Sequence, residues 1–341
     1  MKFNYYVKTG LTLIKKTTKL YTLLFFIFCI FLISCTGQRK SQRLLQLDKS
    51  ACNKQFVTPY TKDKLPISFH QLSIDTILTN RFSNQSLNIA NAIGIVDLLS
   101  QFCKSSIEYK TQPTLEKKVN LIEQLQHINQ KITLASLEVS ALTSELDCEE
   151  ERANQFAYYL KEKEGKTEKR LIISSIILGA AGTIAGEAMS RNGSNGDVVS
   201  GVSIGVSLTG AAIGALMLIN KREIEFYHKD NALSDIWKNS EVSNYFSPAI
   251  WYYLTYESPQ KIEKSLAKLL VDKWQIFGQV SNEKNKSNAK KLELYFGNGG
   301  KYGADELKNR ADMLDQTESY VSLMKQDLKV LTSEIEKLYN K

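Results

Sequence analysis

Apolar residues recur at almost regular steps of three and four between Thr114 and Arg170. This is the heptad pattern of a helix that buries one stripe of its surface against another helix. The apolar positions are Leu115, Val119, Ile122, Leu125, Ile128, Ile132, Ala135, Val139, Leu142, Leu146, Ala153, Phe156 and Leu160. Unbroken, a helix of this length would extend about 85 Å. Such a stripe must be covered by partner helices, either within the chain or between chains.

The C-terminal segment shows the same periodicity, and a shorter helical pattern begins at Asn84. The C-terminal positions are Leu307, Ala311, Leu314, Val321, Met324, Leu328, Leu331, Ile335 and Leu338. We therefore predict an all-α fold, a long antiparallel coiled-coil-like bundle, with helical parts at residues 67–170 and 221–341. Residues 67–78 alternate weakly and predict a short strand or an extended arm packed on helices, of which we favour the arm.

Four shorter patterns subdivide the C-terminal part. Lys221–Trp237 is amphipathic and predicts a helix, and Ser258-Pro259 predicts the start of another that continues to about Phe277. The aromatic run 245–256 suits either a protein core or a membrane interface, and we favour the core. The glycines at 297–300 predict a turn before the last helix, since the spacing fails the phosphate-loop pattern.

Residues 171–220 form an apolar, glycine-rich segment in the middle of the chain. Leu171–Ser190 and Val198–Asn220 are each long enough to cross a bilayer as a helix, at about 30 Å, and RNGSNGD at 191–197 predicts the turn between them. Small residues recur at every fourth position: Ser175 with Gly179, Gly182 with Gly186, Gly201 with Gly205, and Gly210 with Gly214. Such ridges allow close helix packing. We predict a glycine-zipper hairpin with transmembrane helices.

Basic residues flank both ends of this hairpin, at Lys166, Lys169 and Arg170 and again at Lys221 and Arg222. The positive-inside rule would leave these flanks in the cytoplasm. The N-terminus of the chain predicts export, so a hairpin inserted during export would have its basic flanks on the outer side of the membrane, contrary to this rule. Two alternatives stay open: insertion later from the outside, or burial between helices.

Residues 1–34 have the organisation of a secretory signal peptide. Five lysines and no acidic residue precede Leu20–Ser34, an uncharged run of 15 residues, which is too short for a typical membrane span. The run ends in Leu32-Ile33-Ser34-Cys35, which resembles the lipobox of bacterial lipoproteins. The resemblance implies cleavage before Cys35, a diacylglyceryl group on its sulfur and an acyl chain such as palmitate on its new amino terminus. The alternative is an uncleaved signal anchor.

We predict that residues 35–66 form a lipidated tether, because the segment begins with a polar run and contains Pro59 and Pro66, which disfavour regular secondary structure. The net charge of +8 falls to +3 once the five lysines of the signal are removed. No basic run with interleaved aromatic residues follows, so we expect no nucleic-acid partner. Cys52, Cys103 and Cys148 remain after processing, which leaves one disulfide with a free thiol, or three free thiols.

No arrangement of residues typical of catalysis is present. His70, His127 and His228 are the histidines, and none has metal-site or triad spacing. The acidic run comprises Glu145, Asp147, Glu149, Glu150 and Glu151, and we interpret it as a solvated face rather than a cation site. We therefore predict no enzymatic activity, no cofactor and no metal.

The order of a long helix, an apolar glycine-rich hairpin and further helices is similar to that of the α-helical pore-forming toxins of the haemolysin BL and cytolysin A type, over about 85–340. That resemblance implies a hairpin that packs on the bundle and swings out to insert. The chain also resembles uncharacterised lipoproteins of Bacteroidota-type bacteria. We expect a lipid-anchored envelope protein with a structural or interaction role, the outer membrane being favoured, and a pore-forming protein as the alternative. The expected partners are the bilayer and a second copy or another envelope protein.

Overall fold

The computed structural model describes residues 52, 60–191, 221–228, 230–258, 264–281, 283 and 285–339, and only the backbone of residues 171–191. Within these ranges the chain forms nine α-helices and one small sheet, so the predicted all-α class is confirmed. The helices are α1 (Thr76–Thr79), α2 (Asn84–Ala92), α3 (Val96–Thr111), α4 (Leu115–Arg191), α5 (Ala232–Lys238), α6 (Pro248–Thr255), α7 (Leu266–Ile276), α8 (Lys286–Phe296) and α9 (Ala304–Tyr339). The strands are β1 (Ile224–Tyr227) and β2 (Gly299–Tyr302).

The long helices α4 and α9 pack against each other in antiparallel fashion. Lys161 Nζ lies 3.6 Å from Asp305 at the start of α9, and Lys308 Nζ donates to Asn154 Oδ1 at 3.4 Å. Residue numbers thus fall along α4 as they rise along α9. The predicted stripe positions are buried from Ile128 to Leu160 on α4 and from Leu307 to Ile335 on α9, whereas Leu338 is half-buried. The predicted antiparallel pairing of the two periodic segments is therefore what the structure contains.

The first three positions of the α4 stripe are exposed, which corrects the prediction of a continuous buried seam. Leu115 is 79% exposed, Val119 55% and Ile122 43%. The reason is the spacing: Val119, Ile122, Leu125 and Ile128 follow one another at steps of three residues. Each such step falls about 60° short of a full turn, so the start of the stripe lies on the side of α4 opposite Ile128. Helix α3 also packs on α4, whose Leu121 and Ile128 are buried.

The N-terminal arm predicted at 67–78 packs on helices but is extended only in part, because it contains a 3-10 turn at Phe69–Gln71 and its last residues belong to α1; a second 3-10 turn lies at Lys62–Lys64. Tyr252 of α6 attaches the arm to the helices. Its hydroxyl accepts from the backbone N–H of Phe69 at 3.1 Å and from Asn91 Nδ2 at 3.0 Å, and it donates to Asn88 Oδ1 at 2.8 Å. One phenol therefore joins three separate parts of the chain.

Three local predictions for the C-terminal part are wrong in whole or in part. The segment expected to form a helix at 221–237 begins with strand β1, which pairs antiparallel with β2, Ile224 opposite Tyr302. Of the residues predicted to form a glycine turn, Gly299 and Gly300 lie in strand β2. Gly299 has φ +89°, and a Cβ there would lie 2.3 Å from the carbonyl oxygen of Phe226, so glycine is required at this position. The helix expected to begin at Ser258-Pro259 begins at Leu266. Segments this short take their conformation from their neighbours rather than from their own pattern.

The aromatic run lies in the core, as favoured by the sequence. Trp251 is 1% exposed and Phe246 is fully buried, and their rings stack with centroids 5.5 Å apart. Helix α6 begins with Pro248 at its first turn, where the missing N–H costs nothing. The interfacial alternative for this segment therefore has no exposed ring surface of Trp251 or Phe246 to support it.

The α4–α9 contact predicts that two aspartate substitutions on α4 will change the free energy of unfolding by very different amounts. Leu142 is fully buried, so Leu142→Asp places an unpaired charge in the seam and should lower the free energy of unfolding by about 3 kcal/mol or more. Tyr158 on the same helix is 70% exposed, and Tyr158→Asp is the matched control, with an expected change within about 0.5 kcal/mol. Urea titration followed by circular dichroism measures both. Equal midpoints for the two variants would contradict the seam.

Candidate functional site

A disulfide joins Cys52 to Cys148 on α4 and so fixes the beginning of the folded body to the long helix. The two Cα atoms are 5.7 Å apart and the cysteines are 96 residues apart in sequence. Among the described cysteines Cys103 is the free one, and burial raises the pKa of its thiol. A cross-link closing a loop of this size stabilises a fold by roughly 4–5 kcal/mol. Of the two alternatives left by the sequence, the structure selects one disulfide with one free thiol.

The acidic run of α4 separates into distinct roles in the structure. Glu145 accepts a hydrogen bond from the Tyr245 hydroxyl at 2.9 Å, and Glu149 lies 2.7 Å from Arg152. Glu151 accepts from Gln155 on the same helix. A single solvated face, as interpreted from the sequence, is therefore wrong for Glu145, which is buried.

Asp147 and Glu150 meet Glu318 of α9, and carboxylate oxygens from the three lie within 4.8 Å of one another. Burial, followed by the charges of Asp315 and Asp147, raises the pKa of Glu150, while Lys308 opposes that rise. Burial and the same two aspartates raise the pKa of Glu318. Oxygen ligands of this kind are those that Ca²⁺ or Mg²⁺ uses. The sequence analysis missed Glu318, because nothing in a heptad pattern says which turn of α9 lies beside Asp147.

A buried polar centre lies where the β1–β2 ribbon packs on α9. Arg310 is 2% exposed, and its Nη1 donates to the backbone oxygen of Tyr295 at 3.2 Å and to Asn231 Oδ1 at 3.3 Å. The Tyr302 hydroxyl donates to the backbone oxygen of Leu294 at 2.6 Å. Burying a charged guanidinium is costly unless its donors are bonded. This centre therefore specifies how the ribbon sits on α9.

His228 completes this centre. Its Nε2 lies 2.9 Å from the Tyr302 hydroxyl oxygen, and since that hydroxyl donates to Leu294, Nε2 is the protonated nitrogen. Its Nδ1 has no hydrogen-bond partner in the structure. Burial, followed by the charge of Arg310, lowers the pKa of His228 to about 3. A neutral, packed imidazole of this kind is structural, whereas His127 is exposed on α4.

The outward side of α4 carries a shallow groove of about 570 Å³. Its lining consists of Ile122, Leu125, Gln126, Asn129, Gln130, Thr133, Leu134 and Leu137. Leu134 and Leu137 are 63% and 61% exposed, although large apolar side chains usually find cover. The amides in the middle of the groove can form hydrogen bonds with another helix, and the apolar residues at both ends can pack against it. This groove is the strongest candidate for an interaction surface among the described residues.

The prediction of transmembrane helices is corrected by the structure. No helix in the part of the chain that the structure describes is long and apolar enough to cross a membrane.

The residues proposed for close packing in the hairpin lie outside the residues whose side chains are described: Ser175, Gly179, Gly182, Gly186, Gly201, Gly205, Gly210 and Gly214. Residues 1–34 and Cys35 lie outside the described ranges too. The structure therefore gives no support to the signal peptide or to the lipid on Cys35, and both stay predictions.

The depressed pKa of His228 predicts a loss of stability in acid. A folded-state pKa of about 3 lies below the ordinary value of 6.5, so the stabilising contribution is complete above pH 6.5 and is lost as the pH falls. Between pH 7 and pH 5 this amounts to about 2 kcal/mol. His228→Gln keeps an amide donor near Tyr302 and should remove that part of the pH dependence. Urea unfolding at both pH values measures it.

The matched control is His127→Gln, since His127 is exposed. Its loss of stability between pH 7 and pH 5 should equal that of the unmodified protein. If His228→Gln loses as much stability as His127→Gln over this interval, His228 is not buried as a neutral imidazole.

No protein-family model matches this sequence, no curated protein matches it, and no solved structure does. The disulfide, the buried polar centre and the exposed groove are therefore the features of the chain that bear on its function.

Proposed function

We propose that the protein is an exported cell-envelope protein with a structural or interaction role, held at a membrane by lipid on Cys35. The observation that supports export most directly is the disulfide between Cys52 and Cys148. Disulfides persist in oxidising compartments outside the cytosol. The bond joins residues that are distant in sequence, as a structural disulfide of a folded body does.

The position of the disulfide also suits a tethered protein. Cys52 follows the proposed lipid site by 17 residues, and the disulfide attaches this point of the chain to the middle of the described part of α4. A load applied through the N-terminal segment would then pass into the longest helix rather than into the arm at 60–75. The fold is thereby protected from pulling at its N-terminal end.

The interaction role is supported by the groove on α4. Exposed Leu134 and Leu137 give it apolar contact area, and Gln126 and Gln130 give it donors and acceptors. The lining contains no charged residue, and depletion of charged residues is a property of the buried centres of protein interfaces. The pore-forming alternative has no described contact in its favour and stays a prediction from the sequence.

The lipid anchor is tested by Cys35→Ala in the full-length chain. We expect the variant to lose incorporation of a labelled fatty acid and to retain residues 1–34, because cleavage before position 35 by the lipoprotein peptidase depends on the lipobox cysteine; a larger mass on a denaturing gel measures the retained segment. Cys29→Ala is the matched control, because Cys29 lies in the segment that cleavage would remove. If Cys35→Ala incorporates as much labelled fatty acid as the unmodified protein, the proposal is wrong.

Export is tested independently of the lipid by the oxidation state of the cysteines. In protein taken from cells under acid quench, Cys52 and Cys148 should be protected from a maleimide reagent until a reductant is added. Cys103 should react once the protein is denatured, because it is buried and free. Cys103→Ala gives the background of the assay. Free thiols at both Cys52 and Cys148 in most of the cellular protein would contradict an oxidising compartment.

A further inference from the structure

Eight exposed residues of α4 are spaced identically in both directions along the helix. They are Leu115, Val119, Ile122, Gln126, Gln130, Leu134, Leu137 and Ala141, and every one is exposed. The steps between them are four, three, four, four, four, three and four residues. The chemistry has the same symmetry, with two glutamines at the centre and aliphatic residues on both sides. We call these eight residues the palindromic face.

The palindromic face lies opposite the buried stripe of α4. The stripe at Ile128, Ile132 and Ala135 packs on the rest of the protein, whereas the palindromic face points outward at the same turns. The groove of about 570 Å³ covers the middle of this face, from Ile122 to Leu137. The helix thus has a second side suited to packing, and nothing in the described part of the chain covers it.

We propose that the palindromic face binds a second copy of this chain, α4 against α4 in antiparallel orientation, about a twofold axis level with Ile128. A twofold interface requires that each residue meet a matching residue at equal distance from the axis. The spacing supplies those pairs: Leu115 with Ala141 of the partner subunit, Val119 with Leu137 of the partner subunit, Ile122 with Leu134 of the partner subunit, and Gln126 with Gln130 of the partner subunit. Apolar residues meet apolar residues throughout, and amide meets amide.

Charge decides between the antiparallel and the parallel arrangement. In a parallel pair in register, Lys118 and Glu123 would each stand level with the same residue of the other copy, so that like charges meet. In the antiparallel pair Lys118 stands level with Glu138 of the partner subunit and Glu123 with Thr133 of the partner subunit. Like charges at one level are unfavourable by a few tenths of a kcal/mol each. The antiparallel dipoles of the two helices favour the same choice.

The two glutamines fix the register. Each amide has two donors and an acceptor, so Gln126 and Gln130 can bond across the axis in this register. A slip by one turn would set a glutamine against an aliphatic residue and leave its amide without a partner. A single buried polar layer is the device by which coiled coils select register and orientation.

The size of the face indicates a reversible dimer. Twenty-seven residues of helix are about 40 Å long, and a contact strip about 10 Å wide covers about 400 Å² on each copy. The total of about 800 Å² is below the roughly 1,200 Å² of a stable specific interface. The dimer should therefore form in a concentration-dependent way in solution. It does not depend on the lipid anchor, although attachment to one membrane would raise the local concentration of both copies.

Cross-linking of cysteine variants of the full-length chain tests the orientation. Gln126→Cys and Gln130→Cys are made separately, and each is oxidised alone and in an equal mixture. The antiparallel dimer predicts that the mixture forms a disulfide-linked species containing one copy of each faster than either variant forms its own. If each variant cross-links with itself faster than with the other, the helices are parallel and the proposal is wrong.

A charge exchange tests the face itself. Ile122→Glu and Leu134→Arg should each weaken dimerisation at least about tenfold in sedimentation velocity, because each buries a charge in the seam. Mixing them should restore a dimer, since Glu and Arg then meet at one pair of positions. Leu269→Arg on α7 is the matched control, at 39% exposure outside the face, and should dimerise as the unmodified protein does. Circular dichroism confirms that each variant is folded.

The unmodified chain must also change from monomer to dimer over a concentration series. A monomer at every concentration, or a mixture of the two charged variants that stays as weak as each alone, would overturn the proposal. These measurements are made on purified protein. Their outcome is therefore independent of the outcome of the Cys35→Ala test of lipidation and of the cysteine-oxidation test of export.

Discussion

The antiparallel contact between α4 and α9 is the interaction on which the rest of the structure depends. It joins two segments separated by more than a hundred residues, and both stripes are buried almost entirely along the length that they share. Isolated helices in water are marginal, so each of these helices requires the apolar surface of the other. The smaller helices and the ribbon then pack on a core that is already continuous.

The polar groups buried beside this contact determine how neighbouring elements are positioned on the two helices, and they add little to the stability of the contact itself. Arg310 points into the core from α9, and burial lowers the pKa of its guanidinium, with no more than a few hydrogen bonds in return. Arg152 lies over the ring of Phe226 at 4.4 Å and pairs with Glu149. Apolar residues of the same volume could pack as well or better. We interpret the arrangement as a lock that holds β1, the strand that follows the hairpin segment, in a single position on the two long helices.

Helix α4 therefore makes three kinds of contact surface. It forms the core with α9 and α3, it is joined to Cys52 by the disulfide, and it carries the outward face, whose midpoint is level with Ile128. The exposed start of the helix follows from geometry, because Leu115, Val119 and Ile122 lie on the side of α4 opposite the buried stripe.

Periodicity is local information, so the sequence by itself determined the all-α class, the two long helices and the buried positions from Ile128 to Leu160. It also favoured the buried state of the aromatic run around Trp251, because so many rings need cover. Only the tertiary structure decided which cysteine pairs with Cys148 and that Glu318 lies beside Asp147. Each of these depends on where a distant segment begins and ends, and no pattern within seven residues contains that length. Strand β1 shows the same limit, since four residues adopt the conformation that their partner strand and Gly299 allow.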